Sequence, residues 1–297
     1  MPTVGIVSPG AMGSAVANAL ARGGARVVAT VAGRTTRTTS LAQRAGLDLL
    51  PDLAAVVREA DVVLSIVPPE AAEAVAEDGA ALARGSSDRP LFADLNAIAP
   101  ETSRRLASVL AGAGCDYVDG SISGPPPWRQ GTTRIYLSGE RACAVAALPI
   151  SGVECVVVGA EVGMASAVKM STASVYKGTS ALLAHALLAA ERNGVLEHVL
   201  DDLRVGSPEL LANVARRLAS AATKSERYVA EMREIALAQS AAGLTPALFA
   251  AMAEVFDALS TSELARSAPE DIPQDVTLEG VLDALGANPF GVSGAGT

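Results

Sequence analysis

Two hydrophobic periods alternate through the first half of the chain. Apolar, β-rich runs occupy residues 3–7, 26–31, 61–67, 91–94, 117–119 and 133–137. Between several of them lie Ala-rich stretches, at 11–21, 53–59 and 69–83, with the spacing of amphipathic helices. Strand, helix, strand in units of about 30 residues predicts parallel strands joined by right-handed crossovers. Val27-Val28 and Val62-Val63-Leu64 are apolar on both faces, as buried parallel strands are. From residue 159 the period becomes helical. Residues 159–194 lack proline, are rich in Ala and Leu, and stop at Asn193-Gly194, which predicts one unusually long helix. Only helices follow. Ser207-Pro208 and Thr245-Pro246 each set a capping residue before a proline at the first helical position, and Gly243 ends a helix that starts near Ser225. Residues 291–297, rich in Gly and Ser, read as a frayed tail. The expected organisation is an α/β domain over residues 1–160 with a parallel-core sheet, then an all-α domain over residues 161–297, joined by the long interdomain helix.

Composition narrows the function. The 297 residues are 50% hydrophobic and 19% charged, so the chain folds; with 3% aromatics its core rests on Ala, Val and Leu. A net charge of −9 argues against a nucleic-acid partner, which needs a basic face. Three cysteines at irregular spacing, Cys115, Cys143 and Cys155, suit a reducing compartment and suggest neither a disulfide framework nor a zinc site. No clustering of metal ligands is seen. The most apolar stretch, residues 181–190, is interrupted by His185 and closed by Glu191 and Arg192, short of the ~20 residues a membrane span needs. Met1 leads straight into Val4-Gly5-Ile6-Val7 with no basic segment and cleavage site. A cytoplasmic protein without a membrane partner is expected.

The turn between the first strand and the first helix carries the first chemistry. A dinucleotide-binding G-x-G-x-x-G would fall on Ser8, Gly10 and Gly13, of which two are glycine. Gly10 would let the backbone approach a pyrophosphate, Gly13 would let helix and strand close up, and the helix N-terminus would bind the phosphates. Ser8, Pro9, Gly10, Ala11, Met12 and Gly13 are therefore the expected cofactor cradle of a Rossmann-type domain, against the alternative of an ordinary strand–helix turn. An NAD site needs a carboxylate ~20 residues further on. Residues 14–47 contain no Asp or Glu; instead Arg34, Thr35 and Arg37 follow the second strand. Guanidiniums with interleaved hydroxyls suit the 2′-phosphate of NADP, so NADPH/NADP is the expected cofactor.

Three motifs together resemble the β-hydroxyacid dehydrogenase and 6-phosphogluconate dehydrogenase superfamily, which includes imine reductases. Residues 5–13 resemble its G-x-I-G-L-G-x-M-G, with Ser8 and Pro9 substituted. Asp119-Gly120-Ser121-Ile122-Ser123-Gly124 is similar to D-A-P-V-S-G-G, with Gly131-Thr132 matching a downstream G-T. Gly163-Met164-Ala165-Ser166-Ala167-Val168-Lys169 is similar to G-x-G-x-x-x-K, whose lysine is the family's acid/base. The Ser8-Pro9-Gly10 variant and the run Pro125-Pro126-Pro127 look like a poorly characterised branch with its own helical C-terminal domain. The residues alone leave Lys169 open between a proton carrier in an apolar run, with Thr172, Tyr176 and Ser180 on its side of the helix, and a lysine reaching solvent. The resemblance implies the first. It also implies departures. Thr172 and Ala173 replace the family's two Asn, and Tyr176 stands where 6-phosphogluconate dehydrogenase has Glu, so 6-phosphogluconate is not the expected substrate.

The expected reaction is an NADPH-dependent oxidoreduction of a small carbonyl or β-hydroxyacid-type substrate, with Lys169 as acid/base. Alternatives are imine reduction with Tyr176 as proton donor, although typical imine reductases lack the lysine, and a non-catalytic NADPH-binding redox sensor. Asn96, just past a strand end, is expected between nicotinamide and substrate; the alternative is a helix N-cap. Val67 and Pro68 are expected beside the nicotinamide, or simply to end their strand. Ser123 and Gly124 would offer a hydroxyl and backbone N–H groups to the substrate, or form a structural turn. Arg233, in Arg233-Glu234-Ile235-Ala236-Leu237-Ala238, resembles the family's K-D-L-x-L-A and would meet an anionic substrate; a solvated helix face is the alternative. Trp128 covers the proline loop or fills a hinge. His185, about 160° round the helix from Lys169, is assigned to packing or a subunit contact, and His198 to the surface. The long apolar helix and the resemblance together imply a homodimer with interlocked helical domains.

Overall fold

The computed structural model describes residues 1–84 and 89–286, apart from the side chain of Glu270. The expected frayed tail lies outside the described residues. The chain divides into two compact units, Met1–Ser171 and Thr172–Thr297.

The first unit is an alternating α/β fold. Its elements are β1 (Thr3–Ile6), α1 (Ala11–Arg22), β2 (Arg26–Thr30), α2 (Thr36–Arg44), β3 (Asp48–Leu50), α3 (Leu53–Glu59), β4 (Val62–Ser65), α4 (Ala72–Ala83), β5 (Leu91–Asp94), α5 (Pro100–Ala111), β6 (Tyr117–Ser123), β7 (Arg134–Ser138), α6 (Ala142–Ala146) and β8 (Glu154–Gly159). They form one eight-stranded sheet of order β3-β2-β1-β4-β5-β6-β7-β8. Every neighbouring pair is parallel except β6 and β7. The parallel core is what the strand–helix alternation predicts; the antiparallel step between β6 and β7, which no helix separates, is not. Two strands go beyond the expected set. β3 has only three residues, on the sheet edge; β8, the opposite edge, carries the apolar run Cys155-Val156-Val157-Val158 yet is half exposed, with Val157 42% accessible.

Successive residues of the strands feed two cores. Ile6, Leu64, Ala93, Val118 and Leu137 face the layer containing α1 and α6. Val63, Phe92 and Tyr117, register partners across β4, β5 and β6, face α3, α4 and α5. Two residues further along the same strands the second face turns polar. Ser65, Asp94, Asp119 and Ser138 are paired in register across four strands, and all are buried.

The long helix is α7 (Met164–Arg192), which starts a few residues later than the sequence suggests. The second unit contains its remainder from Thr172, then α8 (Leu196–Gly206), α9 (Pro208–Leu211), α10 (Val214–Ala222), α11 (Ser225–Ala241), α12 (Ala247–Ser260) and α13 (Leu278–Gly286). Leu187, Leu218, Ile235, Phe256 and Leu282 are buried here. Two capping expectations are corrected. Ser207 does precede a helix at Pro208, but its side chain caps nothing. Pro246 occupies the cap position itself, and the helix begins at Ala247, whose N–H is taken by Thr245 Oγ1 at 3.3 Å.

Candidate active site

The turn after β1 opens at the carboxyl end of the parallel core, where ligands of such sheets collect. Gly10 is the N-cap of α1; no side chain caps this helix, and its first turn has no acid. A Cβ on Gly10 would meet nothing within 4 Å, whereas one on Gly13 would lie 2.2 Å from Ser8 O. Gly13 is thus demanded by the fold, and Gly10 faces open space at a helix N-terminus, a place that fits a pyrophosphate. Ser8 and Met12 are half-buried, Pro9 is buried and Ala11 is exposed. Beyond β2, Gly33 turns the chain with φ +69°, and Thr35 caps α2 by accepting from Thr38 N. Arg34 and Arg37 are exposed at this corner.

The ends of β4 and β5 are tied by Asn96. Its Oδ1 accepts from Val67 N at 2.6 Å, and its Nδ2 donates to Ser65 Oγ at 3.0 Å and Asp94 Oδ2 at 2.6 Å. Its backbone N–H donates to Asp94 Oδ1 at 3.0 Å. Both amide protons are thus committed within the protein; for a ligand there remains a lone pair of Oδ1. Helix α5 is capped at Ala99, so Asn96 is no N-cap. Val67 and Asn96, expected at one place, do meet; Pro68, next to them, is exposed. Burial raises the Asp94 carboxyl to about 7; the hydrogen bonds from Asn96 and Ser65 oppose this, and the charge of Asp119 adds to it.

Asp119 is the hub of the site, and the sequence reading gave it no role. Its Oδ1 accepts from Ser103 Oγ at 2.9 Å and Ser166 Oγ at 2.6 Å. Its Oδ2 accepts from Ser138 Oγ at 2.7 Å, Gly163 N at 3.0 Å and Ser166 N at 3.1 Å. The sheet itself thereby caps α7: a carboxylate takes N–H groups at the helix start, where the dipole favours negative charge. Ser138 Oγ accepts from Ala165 N, and Ser121 Oγ donates to Ala165 O. Tyr117 hydrogen-bonds Ser103 in the same region; burial raises its pKa well above the ordinary value, with the charges of Asp94 and Asp119 adding.

One turn into α7, Lys169 is half-buried and its Nζ donates to Ile122 O at 2.7 Å. That carbonyl precedes Ser123-Gly124, so the lysine sits against the strand end that leads into the expected substrate loop. Gly124 holds φ +109°, and a Cβ there would lie 2.3 Å from Thr132 O, so this turn needs glycine. Ser123 is half-buried and Gly124 exposed; Thr133 Oγ1 holds Pro125 O at 2.6 Å, and Trp128 is 49% exposed.

The remaining expected residues belong to the second unit. Thr172 is half-buried; Tyr176 is 72% exposed; Ser180 is buried and donates to Tyr176 O. Arg233 on α11 and His185 on α7 are exposed. Lys177, which the sequence reading passed over, forms a buried ion pair with Glu231. Among the described residues no helix is long and apolar enough to cross a membrane, and no cluster of His, Cys, Asp or Glu could hold a metal ion.

A parallel-core sheet of this strand order, with a glycine turn feeding an uncapped helix, defines a dinucleotide-binding domain. The chain belongs to the family of the NAD binding domain of 6-phosphogluconate dehydrogenase, whose model matches residues 3–159. A domain of unknown function (DUF1932) matches residues 190–259. The family is one of nicotinamide-dependent oxidoreductases, as the motifs imply. Among solved structures, the chain is similar to a conserved protein of unknown function described as resembling 3-hydroxyacid dehydrogenases. Identity is 30%, coverage 87% of this chain and 96% of that one, and the TM-score 0.66. It shares the fold of Mycobacterium tuberculosis 3-hydroxyisobutyrate dehydrogenase, at 20% identity, 96% and 99% coverage and TM-score 0.67. It also shares the fold of an imine reductase from Myxococcus stipitatus in complex with NADP+, at 19% identity, 86% and 93% coverage and TM-score 0.53.

Proposed function

We propose that this chain is an NADPH-dependent oxidoreductase acting on a small carbonyl or β-hydroxyacid-type substrate, with Lys169 as acid/base. The carrying observation is the 2.7 Å hydrogen bond from Lys169 Nζ to Ile122 O. It keeps a half-buried ammonium at the head of the Ser123-Gly124 loop, within the unit that holds the glycine turn. When bound, the nicotinamide supplies or accepts the hydride. The chain's own residues do the rest. Gly10 and the first turn of α1 receive the pyrophosphate, and Arg34, Thr35 and Arg37 the 2′-phosphate. Ser123 and Gly124 orient the substrate. Lys169 exchanges a proton with the carbinol oxygen, and Asn96 holds the β4 and β5 ends that border the nicotinamide. Thr172 and Arg233 are the substrate-binding candidates of the helical unit.

Imine reduction with Tyr176 as proton donor is the second reading, supported by the exposure of that phenol. A cofactor-binding sensor without turnover is the third. Substrate panels of β-hydroxyacids, carbonyls and cyclic imines, run with Lys169→Ala and Tyr176→Phe, separate the three. Lys169→Ala is expected to keep cofactor affinity and lose about 10²–10⁴-fold in turnover. Unchanged turnover in Lys169→Ala would move the proton to Tyr176.

We also propose that the protein is cytoplasmic and that it forms a homodimer, the latter supported by one face of α7. Val175 and Leu182 are 65% and 61% exposed, and Ala186 and Ala189, exposed at helical spacing beyond them, continue the stripe. Apolar residues in such a row are covered by another surface. Light scattering and activity across a dilution series test this; a stable, active 30 kDa monomer at micromolar concentration refutes it.

A further inference from the structure

The helical unit contains a cavity of about 580 Å³ between α7, α9, α10 and α11. Its size falls within the ~300–1,000 Å³ of small-molecule sites. Val175, Leu210 and Ala221 give it apolar walls, and the half-buried ring of Tyr228, packed edge-on against Phe256 at 5.2 Å, gives it a flat one. Arg217 also lines it, half-buried, and among the described residues its guanidinium takes no ion pair or hydrogen bond. The charges around it do not balance. Lys177, whose ammonium lies 4.7 Å from the Tyr228 ring centre, and Arg227 share the single carboxylate of Glu231. Lys224 donates to Ser220 Oγ on the cavity wall, and burial, with Arg227 nearby, lowers its pKa. Glu209, the other carboxylate at the cavity, is exposed and open to solvent screening. Among the described residues named here, four cations stand against two carboxylates, and Arg217, for which no partner is found among them, faces a chamber with apolar walls.

We propose that this cavity binds an organic carboxylate with a flat apolar body, the carboxylate held by the Arg217 fork and the body lying against Tyr228 and Leu210. A planar guanidinium matches a carboxylate in two parallel hydrogen bonds. The apolar walls favour one charge on a hydrophobic frame over a small dianion such as phosphate. The inference goes beyond the reading based on Lys169 and stands whether or not Lys169 moves a proton; Tyr176, the donor of the second reading, lines the same cavity, so the test reads binding and not turnover.

The test is calorimetric titration of the full chain, without nicotinamide cofactor, with 3-phenylpropanoate, its uncharged counterpart 3-phenylpropanamide, and inorganic phosphate. The acid is expected to bind saturably, and the amide and phosphate at least about tenfold more weakly, the scale of one charge-assisted contact. Arg217→Gln is expected to weaken the acid to the level of the amide. Leu210→Trp, which fills the chamber, is expected to abolish binding and carries the test alone should Arg217→Gln fail to fold. Lys169→Ala is expected to bind like the wild type. Absence of saturable binding, equal affinity for acid and amide, or an Arg217→Gln or a folded Leu210→Trp variant that binds like the wild type overturns the proposal. Because no turnover is read, failure of the redox reading leaves this result intact.

Discussion

Ser166 donates twice to Asp119, from its backbone N–H to Oδ2 at 3.1 Å and from its hydroxyl to Oδ1 at 2.6 Å. This double contact fixes both the axial position and the rotation of the first turn of α7 against β6. Lys169 lies three residues further on, and its reach to Ile122 O depends on that phase. Asp119 is in this sense a positioning residue: it holds the helix that carries the proposed proton carrier.

Asp119→Asn retains the shape but exchanges an acceptor for a donor among five incoming donors. The expected result is a stability loss on the order of 3 kcal/mol, since hydrogen bonds to a buried charge contribute about 1.5–3 kcal/mol each. Urea unfolding followed by Trp128, the only tryptophan and a residue of the α/β unit, measures it. Wild-type stability in this variant would contradict the role given to Asp119.

The two turn glycines are expected to separate. Gly13→Ala forces a Cβ onto a backbone carbonyl at 2.2 Å, and a loss of about 1–3 kcal/mol is expected whether or not cofactor is present. Gly10→Ala meets nothing in the protein, so its melting temperature should stay near the wild-type value while NADPH affinity falls. Equal effects of both variants on melting would show that Gly10 serves the fold rather than a ligand.

Cofactor choice is expected to follow Arg34 and Arg37. The wild type should prefer NADPH over NADH by about 100-fold, the scale of charge-assisted bonds to a 2′-phosphate. The double variant Arg34→Ala, Arg37→Ala should approach parity, mainly through weaker NADPH binding. Fluorescence titration with both cofactors checks this; equal affinities in the wild type would remove the 2′-phosphate from the account.

Asp94 gives a pH dependence with a definite sign. Its folded-state value of about 7 lies above that of a free carboxyl, so between pH ~4 and ~7 the folded state holds more protons than the unfolded chain. Its contribution to stability is therefore most favourable below pH ~4, declines as pH rises to ~7, and stays constant above that. Asp94→Asn removes this group, and its unfolding free energy should lack that share of the decline. Parallel slopes for wild type and variant between pH 5 and 7.5 would show that Asp94 stays ionised.

Much of the α/β unit was legible because its central strands are apolar on both faces and its helices lie between them at regular spacing. β3 is too short, at three residues, to leave a pattern; β8 has the apolar run Cys155-Val156-Val157-Val158, but no helical stretch separates it from α7, so it reads as part of the approach to the long helix. The motif Asp119-Gly120-Ser121-Ile122-Ser123-Gly124 contains the hub without revealing it. The donors to Asp119 come from residues 103, 138, 163 and 166, and only folding shows that they converge. Asn96 was placed correctly at a strand end, yet its occupation by Ser65, Val67 and Asp94 has no local signal. Arg217 looks like any helix cation in sequence; that it has no partner among the described residues is a property of the folded helices.

The polar row Ser65, Asp94, Asp119 and Ser138 also bears on how the sheet assembles. Each member is supplied by a different strand, and side chains alternate between faces, so a slip of one residue in β5 or β6 would carry a carboxylate to the opposite, apolar face. There it would be buried without the hydroxyl and amide donors that Ser65, Asn96, Ser103 and Ser166 provide. Apolar strands alone tolerate such slips, because valine in place of leucine still fills space. A buried charge does not. The row therefore works as a registration mark, readable only when four strands and the start of α7 are aligned, and misaligned sheets are rejected before the cofactor turn has anything to bind.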